Sequence, residues 1–345
     1  MARNPKIEFF KIILNSTKSD EKITFKEIFT ELYFAKNPDE EEVPTNQVLM
    51  NTFYESILSK LDNRFRVNNS KKKAFYVKSD KQDAEKTIKF GRESSIIHGR
   101  VKGGAYDTGK EEGDLNNPSG DNKKLDSNNI LLDDFYFLLY TPLNQNVGVL
   151  ILQNYTSDQI ADVFKPFVQG VFKVEKVSLK ASLFEFMPDV MQKEFKENSS
   201  IKKFVFSNQY LISDLDDDVK STGKFTVQLI ISSSDNNLGI QSLPLWKKAL
   251  RKIKINVPGN EPRVVESFAK QNAYIKDDSG VKANPTMFSL DDETLSIRAT
   301  IYLQNHITLK ENGIPVWKEL ENFAQRALKE NVIPEIYPET DLDEN

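Results

Sequence analysis

Apolar positions recur along the chain with two periods, and the switches between them outline the elements. After an apolar segment at 7–14, Phe25, Ile28, Phe29 and Leu32 fall on one helical face, and Thr24 with Glu27 three residues later has capping-box spacing. An acidic turn at 39–42 ends this helix, and a second amphipathic helix is predicted over 47–61. Two alternating strands follow, 64–68 and 74–78, joined at a polar turn around Asn69 and Ser70. Two helices before a hairpin fit a winged-helix core; the leading apolar segment fits equally a strand in a mixed sheet.

Two longer apolar segments, 130–141 and 146–155, flank Pro142, Leu143, Asn144 and Gln145, the pattern of a hairpin at the centre of a sheet. Ser157 is expected to cap a helix over 159–172. Strands are predicted at 174–184, 201–213 and 224–233, with a helix at 189–197 and a basic amphipathic helix at 243–253. Residues 267–290 read as a strand, a turn at 277–280 and an extended piece. The alternation of Ile297, Ala299, Ile301 and Leu303 predicts a strand over 295–309, and a last helix over 314–328 has Pro315 in its first turn. No fixed-period repeat is visible. The pattern is that of an α+β protein with mixed or antiparallel sheets and packed helices, in two to three domains.

Composition places the expected boundaries. Residues 106–129 are rich in Gly, Asn, Asp, Lys and Pro and nearly devoid of large apolar side chains, so a polar, mobile loop or linker is expected there. It separates an N-terminal α+β unit at 1–105, with its basic hairpin, from a C-terminal α+β region at 130–338 of one or two subdomains; an acidic tail covers 339–345.

With 345 residues the chain can bury a sizeable core without staples, and it has no cysteine. That excludes disulfides, thiolate metal sites and cysteine nucleophiles, and fits a reducing, cytoplasmic setting. No signal-peptide pattern opens the sequence, and its longest apolar runs fall far short of the roughly 18–20 residues of a membrane helix, so no membrane segment is expected.

Motifs for chemistry are sparse. His98 and His306 lie in strand-like segments without metal-ligand spacing, and neither phosphate-loop glycine patterns nor a nucleophile elbow occurs. Gly103 and Gly104 read as the end of a strand, supplying positive φ angles; a phosphate approaching them beside Arg100 and Lys102 is the functional alternative. The carboxylates at 39–42, 214–218 and 277–278 lack the calcium-loop pattern, and only Asp216 and Asp218 are candidates for a cryptic metal-dependent nuclease. No catalytic residue, metal or cofactor is assigned, and the expectation is a non-enzymatic protein.

Basic segments carry more information. From residue 60 to 102, Arg64, Arg66, Lys71, Lys72, Lys73, Lys78, Arg100 and Lys102 stand among Phe65, Phe75, Tyr76 and Phe90, and cations outnumber acids. On a hairpin they would form a cationic ribbon that neutralises phosphates, or a row that keeps a sheet edge soluble. A second patch, Lys247, Lys248, Arg251 and Lys252 after Trp246, lies on a helix whose buried face is expected to hold Leu245, Leu250 and Ile253. The overall net charge of −4 gives no global attraction to polyanions.

Residues 133–163, DDFYFLLYTPLNQNVGVLILQNYTSDQIADV, resemble the central hairpin and helix of the phage-exclusion protein RexA and its relatives in phage defence: paired apolar strands, Gly148 early in the second, and a Thr-Ser-Asp opening to the helix. A weaker likeness runs on to residue 309 through the Lys-Asp-Asp-Ser-Gly turn. The resemblance implies a non-enzymatic abortive-infection protein that binds DNA with little sequence preference, as a homodimer. This chain differs in its longer N-terminal unit and acidic balance. Its alternatives are a protein-interaction subunit of a defence complex without nucleic-acid contact, or the nuclease.

Overall fold

The apolar segment at the start of the chain becomes a long strand, β1 (Pro5–Ser16), and the reason is its near-continuous burial. It pairs along one edge with β9 (Val147–Tyr155) and along the other with β10 (Leu179–Phe186), both antiparallel. A strand covered on both faces needs apolar residues at successive positions rather than alternate ones. The winged-helix alternative is thereby corrected: the hairpin after the two helices joins this sheet.

The computed structural model describes residues 4–18, 21–61, 64–77, 87–91, 95–112, 123–174, 177–211, 224–232, 239–250, 252–255, 263–277, 286–290 and 301–338. Their fold is α+β with two antiparallel sheets, divided between two compact units: residues 1–186 with 302–329, and 187–301 with 330–345.

In the first unit α1 (Phe25–Lys36) and α2 (Asn46–Leu61) precede β2 (Arg66–Asn68), β3 (Lys73–Tyr76), β4 (Ile88–Gly91) and β5 (Ile96–Ala105). Thr24 and Glu27 close the predicted capping box, the Glu27 amide donating to Thr24 Oγ1 and the Thr24 amide to the Glu27 carboxylate. The central hairpin is β8 (Asp133–Tyr140) with β9, and the strand order is β10-β1-β9-β8-β5-β3-β2, with β4 also on β5. One sheet face packs against α1, α2 and α3 (Ala161–Val171), where Phe53 stacks between Phe29 (centroids 4.0 Å apart) and Phe172 (5.4 Å). Ile7, Phe9, Leu138 and Ile151 point to the other face. Over it lies α4 (Trp317–Ala327), setting Trp317 against Arg100 and Glu321 against Lys89 and His98.

Four expectations are corrected here. Residues 106–129 are not where the chain divides, since β5 and β8 on either side of them pair in one sheet. The described part of this segment forms a short ribbon, β6 (Glu111–Glu112) with β7 (Lys123–Lys124). Ser157 does not cap α3: Asn154 Oδ1, buried at the end of β9, accepts from the Ile160 amide instead, and the helix starts two residues later than expected. The strand expected over 295–309 gives way after Tyr302 to a 3-10 turn, Leu303–Asn305, so His306 sits beside Phe323 (5.0 Å) rather than in a strand; residues 291–300 lie outside the described residues. Pro315 bridges to Leu309 as extended chain, and the helix begins at Trp317.

The second unit holds a four-stranded antiparallel sheet in the order β12-β11-β15-β16: β11 (Ser199–Leu211), β12 (Lys224–Ser232), β15 (Lys270–Asp277) and β16 (Thr286–Ser289). Around it are α5 (Asp189–Glu197), α6 (Leu243–Leu250), the pair β13 (Lys254–Ile255) and β14 (Arg263–Val264), and α7 (Ile333–Ile336). One face of the sheet, with Ile201, Phe204, Phe206, Ala273 and Ile275, is buried under α6. The buried side of α6 is Leu243, Trp246 and Leu250, at spacings of three and four; Leu245 falls off that stripe and is 71% exposed, correcting the expected face. No described helix is long and apolar enough to cross a membrane.

Candidate nucleic-acid interface

The predicted ribbon folds as a hairpin, β2 with β3, but its cations do not converge into one free surface. Lys72, held at φ 52° in the turn, pairs with Asp107; Lys73 reaches Asp162 (3.2 Å); Lys102 reaches Asp134 (3.1 Å). Arg100 lies over the Trp317 ring at 5.3 Å, and Arg66 donates through Nη2 to the Lys60 carbonyl at the end of α2. Only Arg64 and Lys71 of this group are exposed with no ion pair among the described residues; Lys78 lies outside them. The acids come from β8, α3 and the 106–112 segment, which the topology brings beside the hairpin and which a local count of charges does not include.

The second predicted patch is dispersed too. Lys247 donates to the Leu290 carbonyl (2.7 Å), Lys248 and Lys252 are exposed, and Arg251 lies outside the described residues. The glycines of β5 serve packing. Gly104 alone of the pair has a positive φ (156°), and a Cβ there would stand 1.9 Å from the Leu131 carbonyl oxygen; at Gly103 it would meet the Ala74 carbonyl oxygen at 2.9 Å. Gly103 thus permits close strand approach rather than a turn. Asp216 and Asp218 lie outside the described residues, and among those described no group of three or more His, Asp or Glu could hold a metal ion.

Sequence reasoning did not single out the open face of the sheet in the second unit. Because strand side chains alternate, the register places Lys203, Val205 and Ser207 of β11 beside Ser232, Ile230 and Gln228 of β12, and beside Tyr274, Asn272 and Lys270 of β15. Lys276 and Lys224 extend this face at opposite corners. The burial of β12 alternates strictly, and the outward residues include Lys224, Thr226, Gln228 and Ile230, the last 52% exposed. Lys203 Nζ lies 4.5 Å over the half-buried Tyr274 ring. Four lysines, Lys203, Lys224, Lys270 and Lys276, share the face, and no carboxylate stands on it among the described residues. The signal was in the sequence: KQNAYIK, residues 270–276, sets Lys, Asn, Tyr and Lys at alternate positions.

No protein-family model matches the chain, and no curated protein is significantly similar to it in sequence.

In the first unit, titratable groups also meet between β5 and α4, with His98 buried and Lys89 exposed. His98, in a strand as expected, has Glu321 Oε1 3.8 Å from its Nε2. Burial pushes its pKa below 6.5, with Lys89 acting in the same sense and Glu321 against it. Tyr136, whose ring is 6.1 Å away, has a buried hydroxyl without a partner among the described residues, and burial raises its pKa far above the ordinary tyrosine range.

Proposed function

We propose that this protein binds single-stranded nucleic acid with little sequence preference on the open face of its second sheet, in the phage-exclusion setting that the resemblance to RexA implies. The observation that carries the reading is the set of lysines on the face of Tyr274, unopposed there by acids among the described residues. Lys270 and Lys276 stand ~20 Å apart along β15, six residues at ~3.3 Å each, and Lys203 lies one strand away beside Tyr274; cations so placed can meet separate phosphates of one strand, while a ring on the same surface offers a stacking platform for any base. Phosphate neutralisation gives affinity without sequence information. The N-terminal ribbon is secondary in this reading, because lysines already paired with carboxylates must give up those partners to meet a phosphate.

Gel shifts with a mixed-sequence oligonucleotide test it. A Lys203→Gln, Lys270→Gln, Lys276→Gln variant is expected to lose binding, whereas changing Lys71, Lys72 and Lys73 to Glu leaves most of it. The reverse ranking returns the interface to the hairpin.

A second reading, a protein-interaction subunit without nucleic-acid contact, is favoured by one feature: β12 ends its sheet with Ile230 facing solvent. Co-purification of a host protein that persists after nuclease treatment and disappears on Ile230→Lys supports this reading.

A further inference from the structure

Between the end of α2, β2 and the end of α3, within the first unit, lies a cleft of about 680 Å³, lined among others by Lys60, Phe65, Arg66, Pro166 and Phe167. Its size is that of a small-molecule site. Three features give it a chemical preference.

First, two cations meet there without an anion among the described residues. Among the described residues Lys60 Nζ donates only to the Gly170 carbonyl (3.0 Å), Arg66 is held on the Lys60 carbonyl, and Arg66 Nε is buried with no partner. No carboxylate among the described residues pairs with either; Asp162, at the edge of the cleft, is engaged by Lys73. Half-buried like charges side by side repel, and an anion between them removes that repulsion. Burial, then the Arg66 and Lys36 charges, lower the Lys60 pKa.

Second, the wall beside these cations is aromatic and open. Phe65 is 46% exposed, with the Tyr76 ring packed against it (centroids 4.7 Å apart). A phenylalanine so placed leaves apolar surface in water that a flat ligand would cover. Third, Pro166 and Phe167 supply a further apolar lining within α3.

We propose that this cleft binds a small phosphorylated ligand with a planar ring, of the nucleoside monophosphate class, with phosphate on Lys60 and Arg66 and the ring on Phe65. It is a site separate from the sheet face of the second unit.

Calorimetric titration of the full chain with adenosine monophosphate, adenosine and inorganic phosphate tests this. Adenosine monophosphate is expected to bind at least tenfold more tightly than either fragment. Lys60→Gln should weaken it about tenfold or more, and Phe65→Ala should weaken it while leaving phosphate binding unchanged. Asp62 lies outside the described residues and is the nearest acid in sequence to these cations; Asp62→Asn, which removes any competing internal anion, is therefore titrated in parallel. No binding of any of the three by either the natural chain or Asp62→Asn, or nucleotide binding that survives both Lys60→Gln and Phe65→Ala, overturns the proposal.

Discussion

Neutralising two lysines of the open sheet face should change how binding responds to salt by an amount the geometry fixes. Lys203, Lys224, Lys270 and Lys276 allow four phosphate contacts on that face. At about −0.7 in log affinity per log salt for each contact with a single strand, four give a slope of about −2.8. Raising salt from about 50 to about 200 mM should then weaken binding about 50-fold. Lys270→Gln with Lys276→Gln leaves a slope of about −1.4, and the same change in salt weakens binding only about sevenfold. Tyr274→Ala is the control with a different signature: stacking is worth about 1–3 kcal/mol, so affinity falls while the slope stays. Fluorescence anisotropy of a labelled mixed-sequence oligonucleotide over a salt series measures all three. A double lysine variant with the full slope refutes the reasoning, because the phosphates would then be contacted elsewhere.

Further predictions concern the first unit. Phe53→Ala, which empties the place between Phe29 and Phe172, should lower stability by about 3–5 kcal/mol in urea denaturation. Trp317 fluorescence in a Trp246→Phe background reports that unit; a loss below about 1 kcal/mol contradicts the packing. Gly104→Ala, which drives a Cβ into the Leu131 carbonyl, should destabilise by about 1–3 kcal/mol, while Gly109→Ala, with open space around it, should cost less despite its φ of 65°. The depressed pKa of His98 means that, as pH falls below 6.5, the unfolded chain takes up the proton first. Stability present above about that pH should therefore decline on acidification, and His98→Gln should flatten the decline; parallel melting-temperature profiles for the two proteins rule this out.

The local elements were largely legible because their signals are local. The Thr24–Glu27 capping box, the helix at Asp189–Glu197 and the hairpin of β8 and β9 each rest on residues within one turn or one strand pair of each other. The division of the chain was not. A polar stretch at 106–129 marks a place where no core forms, yet β5 and β8 on its two sides are hydrogen-bonded neighbours, a relation no window of sequence contains. The basic hairpin shows the same limit. Its lysines were counted where they occur, but Asp107, Asp134 and Asp162, which pair with them, come from other segments. On the open sheet face the alternation at 270–276 was visible, though its meaning depended on which strands flank it and on the absence of acids across from it among the described residues.

The first unit is discontinuous in sequence, and this governs how the gene can be cut. The chain leaves it at Phe186, which pairs with Phe9 of β1, and the turn Leu303–Asn305 by which it returns packs on the same strand. Stopping translation anywhere between those points would strip α4 from the sheet and leave Ile7, Phe9, Leu138 and Ile151 bare, an aggregation-prone fragment. Excising 187–301 and joining the neighbouring ends with a short glycine bridge would retain every strand from β1 to β10 and the helix that covers them. Expression trials should therefore be designed as internal deletions.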